Sequence, residues 1–206
     1  FAGTSKGAII KSIDGGNSWR LLETRDNLIK FIVDPVQSQL LALVAVAGKP
    51  TRIIRSADGG EHWTSLDIPP ATLRYTTHLL PSPDDSATLY FFSQQETVSR
   101  RTIGRLYRYD PEAGLSLVFE RSVRPKPMST GFWPPLFSND VKEIYLPTDR
   151  GLLFSSTSGR SFRTVANLLE PSGNFVSRKP ANKIFEILFA DRRGLYKVIS
   201  GRLTRP

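Results

Sequence analysis

The sequence motif Ser-x-Asp-Gly-Gly-x-x-Trp, here called the repeated phrase, occurs twice in this chain. Because the motif is typical of a tight turn, its repetition predicts that the structure around it is also repeated. The first copy is KSIDGGNSWR at 11–20, and the second is RSADGGEHWT at 55–64. A third, altered copy at 154–163, FSSTSGRSFR, has a threonine in place of the aspartate. The three copies therefore divide the chain into related units.

Each copy follows a short apolar strand, a turn and a second strand, and another strand comes after it. Five such hairpins recur, with equivalent apolar residues at Ile10, Ile54, Tyr107, Leu153 and Leu195. Four short antiparallel strands in about 45 residues, repeated along a chain, are typical of β-propeller blades. The fold class predicted is all-β, a propeller of about five blades or a fragment of a larger one.

We label the strands of each blade A to D, from the innermost strand of the propeller to the outermost. The chain opens on strands B, C and D, continues with three complete blades, and ends on A, B and C with RLTR as a short strand D. We expect residues 1–206 to form a single propeller domain. Because the sequence starts with Phe1 inside a strand, we also expect either a processed product or a piece of a longer protein. The sequence leaves open whether an N-terminal signal or anchor was removed.

The phrase Ser-x-Asp-x-Gly-x-x-Trp resembles the Asp-box, or BNR repeat, of a broad propeller group. That group includes sialidases, sortilin-type receptors and photosystem II assembly factors. The resemblance extends over nearly the whole chain. It implies a fold rather than an activity, because one fold hosts many functions.

The residues of the repeated phrase suit a structural role in the turn between strands C and D. An aspartate can accept hydrogen bonds from backbone N–H groups of its own turn, and glycine supplies positive φ. We expect the large aromatic residue to pack between neighbouring sheets. The turn residues assigned this structural role are Ser12, Asp14, Gly16, Trp19, Ser56, Asp58, Gly60, Trp63, Ser155, Gly159 and Phe162.

Catalytic signatures are missing from the sequence. There is no cysteine, and neither His62 nor His78 has a second metal ligand nearby in sequence. The Arg-Ile-Pro signature of sialidases is absent, and so are nucleotide-binding and nucleophile motifs. The longest apolar run, LLALVAVA at 40–47, is too short to cross a membrane as a helix. We predict no catalytic residue, no metal and no cofactor.

Basic residues concentrate in the turns from strand B to strand C, which lie on one face of a propeller. These turns contain only three acidic residues, Glu96, Asp149 and Asp191. The connections from strand D to the next strand A, on the same face, add Arg121, Arg124 and Lys126, whereas the opposite face is mixed. The predicted partner-binding basic face consists of Lys6, Lys49, Arg52, Arg100, Arg101, Arg105, Arg150, Arg192 and Arg193.

A net charge of +9 predicts an anionic partner. Nucleic-acid binders interleave stacking aromatics with basic residues, and these turns have none. We therefore expect an acidic protein surface, a membrane-protein complex or anionic lipid. The resemblance favours a non-catalytic docking or assembly subunit, similar to the photosystem assembly factors and outside the cytoplasm. The alternative is a glycan-binding or sialidase-like glycosidase propeller.

One Pro-rich, aromatic insertion, RPKPMSTGFWPPLF at 124–137, separates two predicted blades. Met128, Phe132 and Trp133 in this insertion form either an exposed contact surface or a loop that folds its aromatics into the groove between blades. The sequence leaves both alternatives open.

Overall fold

The structure is a computed structural model that describes residues 1–4, 8–23, 27–33, 39–45, 50–83, 87–124, 131–138, 140–167, 175–178, 186–191 and 194–204. These residues form five successive antiparallel sheets, and each sheet is built from strands that are consecutive in sequence. This order means that every neighbouring pair of strands is joined by a hairpin connection. The predicted all-β class with four-stranded repeats is confirmed.

The first three sheets lie between Ala2 and Val123. Sheet 1 contains β1 (Ala2–Gly3), β2 (Ile9–Lys11) and β3 (Arg20–Glu23). Sheet 2 contains β4 (Asn27–Val33), β5 (Leu40–Ala45), β6 (Arg52–Ser56) and β7 (Thr64–Ser65). Sheet 3 contains β8 (Thr76–Pro81), β9 (Leu89–Glu96), β10 (Thr102–Asp110) and β11 (Gly114–Val123). A single helical turn, α1 (Pro70–Leu73), lies between β7 and β8.

The last two sheets have four strands each. Sheet 4 contains β12 (Leu136–Phe137), β13 (Ile144–Thr148), β14 (Gly151–Ser155) and β15 (Arg163–Asn167). Sheet 5 contains β16 (Phe175–Arg178), β17 (Glu186–Asp191), β18 (Gly194–Ile199) and β19 (Arg202–Thr204). Strand β19 is the short final strand that RLTR predicted. No helix in the described ranges has the length and apolar character needed to cross a membrane.

The middle strands of sheets 2 and 4 are buried on both faces, as expected for strands that are covered on both sides. All five residues of β13 and all five of β14 are buried, and the first five residues of β5 are buried as well. The outer strands are far more exposed, and all three residues of β19 are exposed to solvent. Sheets 2 and 4 are therefore anchored by these buried middle strands.

The chain forms two compact units. Unit 1 comprises Phe1–Pro81, Asp85–Ser93 and Arg108–Leu115, and unit 2 comprises Ser82–Asp84, Gln94–Tyr107 and Ser116–Pro206. A core cluster of unit 1 consists of Ile9, Ala42, Val44 and Ile54, with Leu22, Phe31 and Trp63 packed against it. A core cluster of unit 2 consists of Tyr145, Leu152, Phe154, Ile187, Phe189, Tyr196 and Val198.

Phe132, in the aromatic insertion, is folded inward. Its side chain is only 1% exposed, its ring lies edge-on to Phe119 with centroids 6.5 Å apart, and it covers Gly104 of β10. The backbone beside it bonds to β13, since Trp133 N donates to Pro147 O. Of the two alternatives, the exposed contact surface is therefore wrong for Phe132. Met128 lies outside the described residues.

Candidate functional site

Turn 1 (residues 12–19) and turn 2 (residues 56–63) have the same hydrogen-bond pattern. The hydroxyl of Ser12 accepts from Gly16 N at 2.8 Å, and the hydroxyl of Ser56 accepts from Gly60 N at 2.8 Å. In turn 1 the Asp14 carboxylate accepts from Ser18 N at 2.9 Å. The paired glycines all have positive φ, between 71° and 97°. These polar groups are thus used to close the turn.

Turn 3 (residues 155–162) reaches the same conformation without the aspartate or the first glycine. Thr157 Oγ1 accepts from Ser161 N at 3.1 Å, which replaces the bond that Asp14 makes with Ser18. Ser158 takes the positive φ of the missing glycine, at 51°. Because a neutral hydroxyl can replace the carboxylate, the turn itself requires an acceptor and no acid.

Hydrogen bonds hold the turn carboxylates in the ionised form. Bonds from the Ser18 hydroxyl and Ser18 N–H, with a further bond from Ser12, lower the pKa of Asp14 from 3.8 to about 2. The His62 backbone N–H and imidazole, with the Ser56 hydroxyl, lower the pKa of Asp58 further. Low pKa values disfavour a role for either group as a general acid near neutral pH.

These two pKa shifts predict acid sensitivity. Since the folded-state pKa values lie below the unfolded value, the turns stabilise the fold above about pH 4 and lose that stabilisation as the pH falls through about 2. We expect the urea midpoint of unfolding to fall over this window, and less steeply in the double variant Asp14→Asn/Asp58→Asn. Asp67→Asn, at an exposed aspartate outside the turns, is the control. Identical pH profiles for the double variant and the wild type would contradict this role.

The aromatic residues of the turns differ in burial. Trp63 packs against the core cluster of unit 1, and Phe162 packs against Phe119 of β11 with ring centroids 4.9 Å apart. Trp19, expected to pack between sheets, is instead 49% exposed, because no described segment covers it. Its indole N–H donates to Gly16 O at 3.0 Å, just as Trp63 donates to Gly60 O at 3.1 Å.

Four residues of the predicted basic face, Lys6, Lys49, Arg192 and Arg193, lie outside the described residues. Two others are placed differently from the prediction, because the strands begin earlier than expected. Arg52 is the first residue of β6, and Arg105 lies within β10 rather than in the turn before it. Arg105 also pairs with Glu120 at 2.6 Å and donates to Gln95 at 3.1 Å, so its charge is largely committed within the sheet.

The remaining predicted arginines meet at one edge of unit 2. Arg101, in the turn between β9 and β10, donates from Nε to Ser122 Oγ at 2.8 Å and from an Nη to Ser122 O at 3.1 Å. Arg150, in the turn between β13 and β14, donates to Arg124 O at 3.0 Å. The exposed arginines bonded to the segment 122–124, together with their neighbours in sequence, are called the arginine cluster: Arg100, Arg101, Arg121, Arg124 and Arg150. Arg121 lies within β11 rather than in the connection after it.

The acidic residues near the arginine cluster do little to neutralise it. Asp149 is buried, with 1% of its surface exposed, and Glu120 is paired with Arg105. Glu96, at the end of β9, is an acidic residue of the predicted basic turns that is exposed to solvent. The cluster therefore presents mainly positive charge to solvent, which attracts anionic partners.

Among the described residues, neither histidine belongs to a group that could hold a metal ion. His62 is exposed and pairs with Asp58 at 2.6 Å, whereas burial, with a smaller contribution from Lys30, lowers the pKa of His78 to about 4. In the part of the chain that the structure describes, no three His, Asp or Glu side chains lie close enough to hold a metal ion.

Comparison with solved structures identifies the fold. The GH74 xyloglucanase from Xanthomonas campestris matches with a TM-score of 0.61 at 17% identity, covering 98% of this chain and 35% of that chain. An ancestral GH74 enzyme matches with a TM-score of 0.61 at 14% identity, covering 99% of this chain and 29% of that chain. A prolyl endopeptidase matches with a TM-score of 0.60 at 13% identity, covering 98% and 32%. The chain has a β-propeller fold.

The sequence comparisons add no family. No family model matches the chain, and no curated protein matches it. The chain spans about a third of the length of these three solved structures. At these identities the likeness concerns the fold alone, so function has to be argued from the residues of this chain.

Proposed function

We propose that this protein is a non-catalytic propeller that docks through its arginine cluster on an acidic surface of a membrane-protein complex, as an assembly or accessory subunit outside the cytoplasm. The observation that carries the proposal is the set of five exposed arginines in unit 2, two of which, Arg101 and Arg150, are hydrogen-bonded to the segment at the end of β11. The proposal also assigns turns 1 to 3 to the Asp-box class and gives them a purely structural role.

Two guanidinium groups of the cluster are positioned before any partner arrives. The bonds of Arg101 to Ser122 and of Arg150 to Arg124 O restrain long side chains that otherwise lose rotamer entropy on binding. Each guanidinium has five N–H donors in a planar fork that fits a carboxylate or phosphate. Arg101 uses two donors and Arg150 uses one in these bonds, so both retain donors for an anion.

The cluster suits an acidic protein better than a nucleic acid. Proteins that bind single strands stack bases on aromatic side chains placed among basic ones. Among the described residues the exposed large aromatics are Phe1, Trp19 and Tyr75, and none belongs to the segments that supply the cluster. Carboxylates on a protein surface need only the forked donors that arginine provides.

Charge reversal tests the proposal. In the triple variant Arg100→Glu/Arg101→Glu/Arg121→Glu, we expect capture of the membrane partner from solubilised native membranes to weaken at least about tenfold at low salt, because steering and pairing are both lost. Wild-type capture should weaken in the same way at high salt. Mass spectrometry of the salt eluate identifies the partner.

A control variant separates the cluster from net charge. Arg74→Glu/Lys142→Glu/Arg160→Glu reverses three exposed basic residues elsewhere and gives the same net charge as the cluster variant. We expect it to keep most of the binding, and both variants to unfold at nearly the wild-type urea concentration, since exposed charges contribute little to stability. Equal binding by the wild type, the cluster variant and the control variant would rule out the arginine cluster as the binding site. Binding to phosphatidylserine vesicles without capture of a protein would assign the cluster to lipid.

The alternative function is a glycan-binding or glycosidase propeller, and the solved structures with a similar fold include GH74 enzymes. Glycosidases place two carboxyl groups about 5–9.5 Å apart on either side of an accessible glycosidic bond. The two buried carboxylates in the described part of the chain, Asp149 and Glu186, are 1% and 5% exposed, so neither faces an open cleft. Release of reducing sugar from xyloglucan, or specific binding on a glycan array, would favour this alternative.

A further inference from the structure

The first strands of sheets 2 and 3, β4 and β8, contact each other within unit 1 and carry a group of polar side chains. Lys30 of β4 donates from Nζ to Thr77 O of β8 at 3.1 Å, which joins the two strands. His78 follows Thr77 on β8, and its Nδ1 lies 3.0 Å from the Thr77 hydroxyl. Thr77 is exposed, and Lys30 and His78 are half-buried, so solvent reaches all three residues. We call these three residues the lysine–histidine cluster.

A β-bulge occurs in each strand at this cluster. The pairing of β8 with β9 shifts between Thr76 and His78, which makes Thr77 the extra residue. The pairing of β4 with β5 shifts in the same way between Leu28 and Lys30. A bulge leaves one residue outside the regular ladder and turns the side chains beside it, and bulges are over-represented next to active sites. Both strands are therefore irregular at the residues that supply the polar groups.

The ammonium of Lys30 pairs with no carboxylate among the described residues. Its bond to Thr77 uses one of three N–H donors, and burial lowers the pKa of Lys30. Nearby charged groups do not compensate it, since Arg74, just before β8, is itself positive and lies over the Tyr75 ring. The stretch of β9 that pairs with β8, Leu89–Ser93, contains no charged residue. A half-buried positive charge without a counter-ion costs free energy, which a bound anion would offset.

The hydrogen bonds around Thr77 determine the tautomer of His78. The Thr77 hydroxyl donates to Phe92 O at 3.2 Å, so it has no proton left for the imidazole and accepts from Nδ1–H. Nε2 therefore takes up the proton when the ring becomes charged. Burial, followed by the charge of Lys30, lowers the pKa of His78 to about 4, so the ring is neutral near pH 7. An anion held beside both groups would counteract the charge of Lys30 and favour the protonated ring.

We propose that the lysine–histidine cluster binds a small-molecule carboxylate, with the Lys30 ammonium as its counter-ion. Near neutral pH the cluster has a single positive charge, which matches the single negative charge of a carboxylate. A phosphate dianion would leave its second negative charge uncompensated at a half-buried position. All the residues concerned belong to unit 1, so this inference goes beyond the docking function and does not depend on the arginine cluster.

Histidine NMR tests the site, because the chain has two histidines and only His78 belongs to the cluster. We would follow the imidazole C–H resonances with pH in sodium trifluoroacetate, a carboxylate that stays ionised throughout, and in sodium chloride at the same concentration. We expect trifluoroacetate to raise the pKa of His78 by about one unit above its value in chloride, because the bound anion favours the charged ring. Exposed His62 should respond far less. In Lys30→Met, which keeps the apolar stem, the pKa of His78 should be higher without ligand and should respond no further.

Urea unfolding at pH 7 provides a second readout. Sodium acetate should raise the wild-type midpoint above that in sodium chloride, since a ligand that binds only the folded state stabilises it. We expect Lys30→Met to lose this difference and Lys142→Met, at an exposed lysine of unit 2, to keep it.

Three results would overturn the proposal. The first is an equal response of His78 to trifluoroacetate and chloride, and the second is a larger response to phosphate than to trifluoroacetate. The third is an acetate effect on unfolding that survives Lys30→Met, because acetate would then act without the site. The comparison of anions on the wild type needs no variant, so the proposal stays testable even if Lys30→Met fails to fold.

Discussion

Replacing Gly159 with alanine is expected to lower the free energy of unfolding by about 3 kcal/mol. Gly159 has φ +87°, where a side chain costs roughly 1–2 kcal/mol. Its new Cβ would also overlap Val118, a stiff β-branched residue of β11 that cannot rotate aside freely. Overpacking of this kind adds roughly 1–3 kcal/mol. Urea denaturation monitored by tryptophan fluorescence measures the loss.

Gly16→Ala is the matched control because Gly16 holds the same position in turn 1. Its φ is +97°, and a Cβ there would meet only Trp19 at 3.8 Å. We expect a loss of about 1–2 kcal/mol from backbone strain alone. At low protein concentration the difference between the two variants isolates the contact with the preceding sheet. Equal losses would mean that the turn contributes only through its own conformation.

The sequence predicted turns 1 to 3 because their chemistry is local. The turn closes when it has a serine, a hydrogen-bond acceptor two residues later and residues at positive φ. All of these residues lie within a few positions of one another in the sequence. In turn 3, Thr157 replaces the aspartate and Ser158 replaces the first glycine, yet the turn conformation is retained. The strands were predictable for a similar reason, since short apolar runs alternate with turn residues throughout the chain.

The equivalent turn of sheet 5 could not be recognised from sequence. Its Ser-Gly pair carries none of the repeated phrase, yet Gly201 packs on Phe154 and its N–H donates to the Tyr145 hydroxyl at 3.1 Å. The contact needs only a glycine at positive φ and a suitable neighbour. The neighbour lies 47 residues away from Gly201, so no local pattern identifies it.

The arginines illustrate the same limit. Sequence topology placed Arg101, Arg105 and Arg150 together in turns on one face. Strand register decided that Arg105 faces Glu120 across the sheet, while Arg101 and Arg150 are tied to the end of β11. A shift of one residue in strand register moves a side chain to the other face of the sheet. The register therefore decides whether an arginine pairs with an acidic residue or is exposed to a partner. The five arginines of the cluster were all named from sequence, whereas the pairing of Arg105 with Glu120 was not predictable.

Phe132→Ala is expected to cost about 4 kcal/mol, the largest effect among these predictions. The ring is 1% exposed, packs edge-on to Phe119, and fills the space above Gly104, which has no side chain to occupy it. Removing a buried phenylalanine loses its transfer free energy and leaves a cavity that the surrounding strands cannot fully close. Urea denaturation again measures the loss.

The variant Phe132→Leu tests whether Phe132 contributes to core packing or to partner binding. Leucine restores most of the apolar volume, so we expect it to cost less than about 1.5 kcal/mol relative to wild type. Val98→Ala, at a side chain that is fully exposed, should change stability by less than about 0.5 kcal/mol. If Phe132 served instead as a partner contact, Phe132→Ala would leave the urea midpoint unchanged and weaken capture of the partner. A stability loss with capture retained under folding conditions places the insertion in the framework that supports Arg124 and Arg150.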